Sequence, residues 1–187
     1  MKTDVALLIT VGQSRSGTSL LIKILINHGF EVGQIRSPGR YENYENQAVH
    51  DLVHQSNPDP KLVRGAFFNS IPIGSKGVLK SMINKHDIYR AAFPDATWMF
   101  SIRDAEAVCE SLWRKGRTHL HPKKMTGHAK ARNSEITEAA GDSTIVNMSR
   151  VVEGDYSTLK TAMSECGIVM DVDAVRSAIN PKLWTCQ

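Results

Sequence analysis

A short segment near the start of the chain collects groups that bind oxyanions. It runs Gly12-Gln13-Ser14-Arg15-Ser16-Gly17-Thr18-Ser19. Glycine permits the tight turns that bring backbone N–H groups up to a phosphate, and arginine offers a fixed fork of donors. The spacing G-x-x-x-x-G is that of a phosphate-binding loop, but Thr18 stands where a nucleotide kinase has lysine. We predict that the loop binds an anion, although not in the manner of an ATPase. The alternative is a tight turn that binds nothing.

The elements on either side of this loop favour anion binding. The apolar run 5–11 predicts a buried strand, and residues 18–28 have the apolar spacing of a helix, which Gly29 ends. A strand, a glycine loop and a helix in this order direct N–H groups and the positive end of the helix dipole at one point.

A second arginine occupies a similar place later in the chain. The near-continuous apolar run 97–102 is typical of a strand covered on both faces, and Arg103 follows it directly. Asp104 stands at the N-cap position of a helix predicted at 105–114, with Ser111 two turns into it. Taken alone, this pair is better explained by a surface arginine and a serine between helices than by a binding site.

The remaining pattern sets the expected fold. Further strands are predicted at 31–35, 77–80 and 144–148, and further helices at 45–55, 86–93, 129–140, 155–165 and 172–179. This alternation predicts an α/β three-layer sandwich, a parallel sheet flanked by helices as in P-loop NTPases, in a single domain 1–187. Ligands of such sheets bind beyond the carboxyl ends of the strands, so the glycine loop and Arg103 are expected to share one crevice. The polar, basic segment 115–130 is predicted to be a mobile loop.

Composition excludes several classes of function. The formal charge of +4 suits an anionic ligand but does not by itself indicate nucleic acid. The three cysteines, Cys109, Cys166 and Cys186, are widely spaced, and His50, His54 and His121 lack supporting ligands, so no metal site is predicted. Neither a signal peptide nor a membrane-spanning stretch is expected, which favours a cytoplasmic protein without a membrane or nucleic-acid partner.

Two segments together resemble the sulfotransferase family. The loop is similar to that family's 5′-phosphosulfate loop, usually G-x-P-R-S-G-T-[ST]-x-L, although Gln13-Ser14 stand where proline is frequent. The segment 100–111 is similar to its 3′-phosphate segment, an arginine followed eight residues later by a serine. The resemblance extends over about residues 5–114 and implies the co-substrate 3′-phosphoadenosine 5′-phosphosulfate. It also implies transfer of the sulfuryl group to a hydroxyl or amine of a small-molecule or carbohydrate acceptor.

The resemblance also implies roles for individual residues. The 5′-phosphosulfate would be held by Ser14, Arg15, Ser16, Gly17, Thr18 and Ser19, and the 3′-phosphate by Arg103 and Ser111. Arg15 would act catalytically on the charge that develops on the bridging oxygen. Glu42 is the predicted general base, because bacterial members have a glutamate in a segment similar to 38–43. The alternative for Glu42 is an exposed loop glutamate.

Other interpretations stay open at this stage. A nucleotide or small-molecule kinase with a degenerate loop is one, although the missing lysine and the lack of a Mg²⁺-binding acidic strand end argue against it. A non-catalytic nucleotide-binding module is another, since a chain shorter than typical members leaves less room for acceptor-binding insertions. Lys80, at a strand end, either faces the cleft or only ends the strand, and the acceptor and the oligomeric state are not predicted.

Overall fold

The computed structural model describes residues 7–35, 44–114, 116 and 121–179. Five strands form one sheet: β1 (Leu7–Gly12), β2 (Phe30–Glu31), β3 (Lys76–Met82), β4 (Thr97–Ile102) and β5 (Ile145–Asn147). Their order is β2-β3-β1-β4-β5, and every neighbouring pair is parallel. All residues of the central strand β1 are buried, as a strand covered on both faces requires.

Nine helices are described around this sheet. They are α1 (Thr18–Asn27), α2 (Gln47–Val53), α3 (Pro60–Ser70), α4 (His86–Ala92), α5 (Ala105–Arg114), α6 (Pro122–Ala140), α7 (Met148–Glu153), α8 (Ser157–Glu165) and α9 (Val172–Ala178), and a 3-10 turn at Ile83–Lys85 precedes α4.

The helices lie on both faces of the sheet. On one face, α1, α7, α8 and α9 bury apolar side chains against Leu8, Val78 and Met99 of the strands. On the other, α2, α3, α4 and α6 pack against strand residues such as Ile9 and Leu79. The predicted three-layer α/β sandwich with a parallel sheet is therefore confirmed.

The path of the chain leaves a crevice at the carboxyl end of the sheet. From β1 it passes through α1 to β2, on one side of β1, whereas from β4 it passes through α5 and α6 to β5, on the other side. Two adjacent strands whose following connections diverge leave a crevice at their carboxyl ends. Gly12 and Arg103 stand at these two ends.

Some elements differ from the expectation. The second strand is only Phe30–Glu31, because Ile35 instead forms an antiparallel bridge with Asn46. Helix α6 begins at Pro122, so the loop expected over 115–130 is wrong from that residue onward. Pro122 suits the first turn of a helix, and the buried side chains of Ala129, Ile136 and Ala140 give α6 an inward stripe. The mobility of the segment stays a prediction.

Helices α3 and α7 were not predicted. Asp59 accepts a hydrogen bond from Lys61 N at the start of α3, and Asn147 accepts from Ser149 N and Arg150 N at the start of α7. These are ordinary N-caps. No described helix is at once long and apolar enough to cross a membrane.

A buried histidine makes stability depend on pH. His86 is 8% exposed, accepts from Arg90 Nε and packs against Trp98 with ring centroids 4.8 Å apart. Burial, and then the Arg90 charge, hold the pKa of His86 below its usual value, against a smaller opposite effect of Asp87. The unfolded chain therefore takes up a proton at higher pH than the folded one, which lowers stability as pH falls.

We expect the free energy of unfolding to fall as pH is lowered through the unfolded histidine value near 6.5 towards the lower folded value of His86. For one proton the slope cannot exceed about 1.4 kcal/mol per pH unit. Urea titrations between pH 7.5 and 5 measure it. The variant His86→Phe should flatten the dependence and the exposed control His54→Gln should keep it. Equal slopes in wild type and His86→Phe would contradict the assignment.

Candidate functional site

The glycine loop adopts a conformation suited to an anion. Arg15 and Gly17 both have left-handed backbones, with φ of 67° and 96°, and Ser16 N donates to Gln13 O at 3.2 Å. Helix α1 starts at Thr18, and its N-cap, Gly17, makes no side-chain capping bond. The N–H groups of the first turn therefore face the crevice without a capping side chain at Gly17, which is the arrangement in which helix N-termini bind phosphate or sulfate.

Packing explains both glycines of the loop. A Cβ on Gly12 would lie 2.5 Å from Ser16 Oγ, and one on Gly17 would lie 2.9 Å from Met148 Cβ at the start of α7. Neither glycine therefore has room for a larger side chain. Ser16 Oγ is buried, and no hydrogen-bond partner for it lies among the described residues.

The two segments singled out in the sequence meet in the crevice. Arg15 Nε donates to Ser111 Oγ of α5 at 2.9 Å. Arg103 NH1 lies 3.5 Å from the carbonyl oxygen of Arg15, at the long end of hydrogen-bond distances. The residues proposed for the two ends of one nucleotide are therefore neighbours, although 88 and 96 positions separate them in sequence.

A partly buried ion pair lies beside the loop, at Ser19. Lys80, from β3, donates through Nζ to Ser19 Oγ at 3.2 Å and pairs with Glu45 Oε1 at 3.3 Å. The Lys80 side chain is 8% exposed and that of Glu45 19%. The second Glu45 oxygen lies 3.7 Å from His50 Nε2. Of the two possibilities for Lys80, the structure shows the first: the side chain faces the loop.

Glu45 had not been singled out in the sequence. It stands three residues beyond Glu42, the predicted base, which lies outside the described residues and whose role stays a prediction. A charged glutamate directly before a helix is common, so only the contact with Lys80, 35 positions away, distinguishes it.

Tyr89 lines a small cavity with Glu45 and Lys80. Burial, and then the Glu45 charge, raise the pKa of Tyr89, so its hydroxyl stays protonated and cannot serve as a base near neutral pH. The rings of His50 and His54 have centroids 4.2 Å apart and are tilted by 31°. Within the described part of the chain, no group of three or more His, Cys, Asp or Glu side chains could hold a metal ion.

A polar bridge ties α6 to both halves of the crevice. Gln13 Nε2 donates to Asn133 Oδ1 at 2.6 Å and to the Ala129 carbonyl at 3.2 Å. Asn133 Nδ2 in turn donates to the carbonyl of Arg103 at 2.9 Å. Gln13 is 6% exposed, so these bonds are largely shielded from water. Sequence reasoning missed Asn133, because nothing local marks a helix asparagine as the partner of a loop 120 positions away.

Comparison with known proteins supports the fold. No family model and no curated protein matches the chain. Among solved structures, it is similar to the sulfotransferase domain of the Synechococcus PCC 7002 olefin synthase, with a TM-score of 0.56 and 15% sequence identity. The match covers 99% of this chain and 81% of that domain. The chain therefore has a sulfotransferase-like fold.

The polar bridge yields a test of how the site is supported. Asn133→Leu keeps the branched shape of the side chain but removes one of the two acceptors of Gln13 Nε2 and the donor to the Arg103 carbonyl. We expect a loss of about 1–3 kcal/mol in the free energy of unfolding. Faster amide exchange at residues 13–17 should accompany it. Urea unfolding and hydrogen exchange measure the two effects, and Asn69→Leu, on the exposed side of α3, is the control. A loss no larger than that of the control would show that the bridge is dispensable.

Proposed function

We propose that the protein is a sulfotransferase. It takes 3′-phosphoadenosine 5′-phosphosulfate as donor and transfers the sulfuryl group to a hydroxyl or amine of a small-molecule or carbohydrate acceptor. The observation that carries the proposal is the meeting of Arg15, Ser111 and Arg103 at the open end of the sheet, next to an uncapped helix start. The sulfotransferase-like fold is consistent with it.

The residues present fit such a donor. A 5′-phosphosulfate is anionic and bears many acceptor oxygens, which suits the N–H groups of the loop, the hydroxyls of Thr18 and Ser19, and the Arg15 guanidinium. Arg103 and Ser111 supply a cation and a hydroxyl for the 3′-phosphate. When the donor binds, Arg15 exchanges its hydrogen bond to Ser111 for contacts with the nucleotide.

Sulfuryl transfer needs two kinds of help from the chain. The acceptor oxygen or nitrogen forms a bond to sulfur while the bond from sulfur to the bridging oxygen breaks, and that oxygen keeps the electron pair. Arg15 stabilises the charge that develops there, and because the charge exists only in the transition state, the effect is on rate. Lys80, held by Glu45 beside Ser19, provides a second cation on the other side of the loop.

The acceptor proton must pass to a base. Glu45 is linked to the loop through its ion pair with Lys80, which donates to Ser19 Oγ. We propose that it takes this proton, in place of or together with Glu42. Its contact with a lysine that reaches the loop aligns the carboxylate with the site of transfer.

Binding of the product nucleotide tests the donor assignment. We expect adenosine 3′,5′-bisphosphate to bind more tightly than adenosine 5′-phosphate, and ATP with Mg²⁺ not to compete. Arg103→Ala should reduce the preference for the 3′-phosphate by about tenfold or more, since a charged hydrogen bond is worth about 1.5–3 kcal/mol. Isothermal titration calorimetry measures this, with Arg150→Ala on the exposed surface of α7 as control. An unchanged preference in Arg103→Ala would show that this arginine does not bind the 3′-phosphate. Tighter binding of ATP with Mg²⁺ than of the bisphosphate would favour a kinase.

Steady-state kinetics tests the proposed role of Glu45 as the general base. Glu45→Gln keeps the size of the side chain but cannot accept a proton, so kcat should fall by about 10²-fold or more. The affinity for the bisphosphate should stay within about twofold of wild type. Glu42→Gln, in the same assay of sulfate transfer, tests the residue chosen from sequence. Loss of bisphosphate affinity in Glu45→Gln, without a separate loss in kcat, would mean that Glu45 only positions Lys80.

A further inference from the structure

A separate cavity opens beside the glycine loop. Its volume is about 150 Å³, and its walls include Ser14, Met82, Ile83, Leu112, His128 and Arg132. These residues come from the loop, the end of β3, the 3-10 turn, α5 and α6, so the cavity lies where these five elements meet. A cavity of this size holds a molecule of about the dimensions of benzene.

The position of the cavity relates it to the donor site. Ser14 directly precedes Arg15, and Leu112 directly follows Ser111. Met82 is the register partner of Gly12 across the β1–β3 pair, so it stands at the carboxyl end of the sheet. A molecule in the cavity would therefore lie next to whatever the glycine loop binds.

The residues that line the cavity form an apolar part and a basic part. Met82, Ile83 and Leu112 form an apolar part, whereas α6 contributes the imidazole of His128 and the guanidinium of Arg132. None of the described lining residues is acidic. Arg132 NH1 pairs with Glu135 one turn further along α6, at 2.5 Å, and the side chain remains 33% exposed. A guanidinium has five N–H donors, so this pair orients Arg132 and leaves donors for a ligand.

Resting on the function proposed above, we propose that this cavity binds the acceptor, and that the acceptor is a compact molecule with an anionic group besides its hydroxyl. An apolar body would contact Met82, Ile83 and Leu112, and a carboxylate would pair with Arg132. A cation at this point is needed for such an acceptor, because a negatively charged donor in the loop would otherwise repel it.

The test uses two probes of equal shape and different charge. 4-Hydroxybenzoate and 4-hydroxybenzamide are titrated by calorimetry into wild-type protein saturated with adenosine 3′,5′-bisphosphate. We expect the carboxylate to bind at least about tenfold more tightly than the amide. Arg132→Gln should lower the affinity for 4-hydroxybenzoate about tenfold, as expected for the loss of one charge-assisted pair. The affinity for 4-hydroxybenzamide should stay unchanged.

Arg176→Gln is the matched control. Like Arg132, Arg176 pairs with an acid three residues away, but it lies on α9, which packs on the opposite face of the sheet from α6. This variant should bind both probes and the bisphosphate as wild type does. Ile83→Phe, which reduces the cavity volume, should weaken both probes and not the bisphosphate.

The outcomes separate the two proposals. If wild type binds the bisphosphate but does not prefer the carboxylate, or if Arg132→Gln behaves as Arg176→Gln, the assignment of the cavity is wrong. If Arg132→Gln weakens the bisphosphate instead, the arginine serves the donor and the assignment is again wrong. If wild type does not bind the bisphosphate at all, the sulfotransferase proposal fails, and the acceptor role of the cavity fails with it.

Discussion

The divergence of the chain after β1 and β4 is the constraint on which the rest of the structure depends. Because the connections from these neighbouring strands leave towards opposite edges of the sheet, neither following helix covers the space between their carboxyl ends. The Gly12–Gly17 loop and Arg103 occupy the rim of this space. Their meeting is therefore a consequence of strand order, and the hydrogen bond from Arg15 to Ser111 is one that this topology permits.

Placing several cations around one crevice has a cost in free energy. Arg15, Arg103 and Lys80 repel one another in a partly buried crevice, and the start of α1 lacks a capping side chain at Gly17. Glu45 offsets part of this through Lys80, and Asn133 holds the Arg103 backbone. Natural proteins retain such local conflicts mainly where a ligand resolves them. A bound dianion would satisfy both the N–H groups and the guanidinium groups at once.

What could be predicted from the sequence depends on how far apart along the chain the interacting residues lie. Strand β1, the glycine loop, α1, β4 and α5 were predicted because apolar periodicity and loop glycines are local signals. Helix α6 was predicted only from residue 129 onward, since Ala129 is the first of its described side chains that is buried. The Lys80–Glu45 pair and the Gln13–Asn133 bond join positions 35 and 120 residues apart, and no local pattern records them. The glycine loop could therefore be predicted from the sequence, whereas the long-range contacts that hold it in place could not.

A fold of this type does not by itself determine which group is transferred, because α/β folds with glycine loops serve many reactions. The distinction lies in where the positive charge stands. A nucleotide kinase places a lysine after the second glycine and a Mg²⁺ at acidic side chains, and here Thr18 occupies the lysine position. Here positive charge stands at Arg15 within the loop, at Lys80 of β3 and at Arg103, directly after β4. In the donor proposed above, the terminal sulfuryl group bears a single negative charge, and cations fixed around the loop suit such a group.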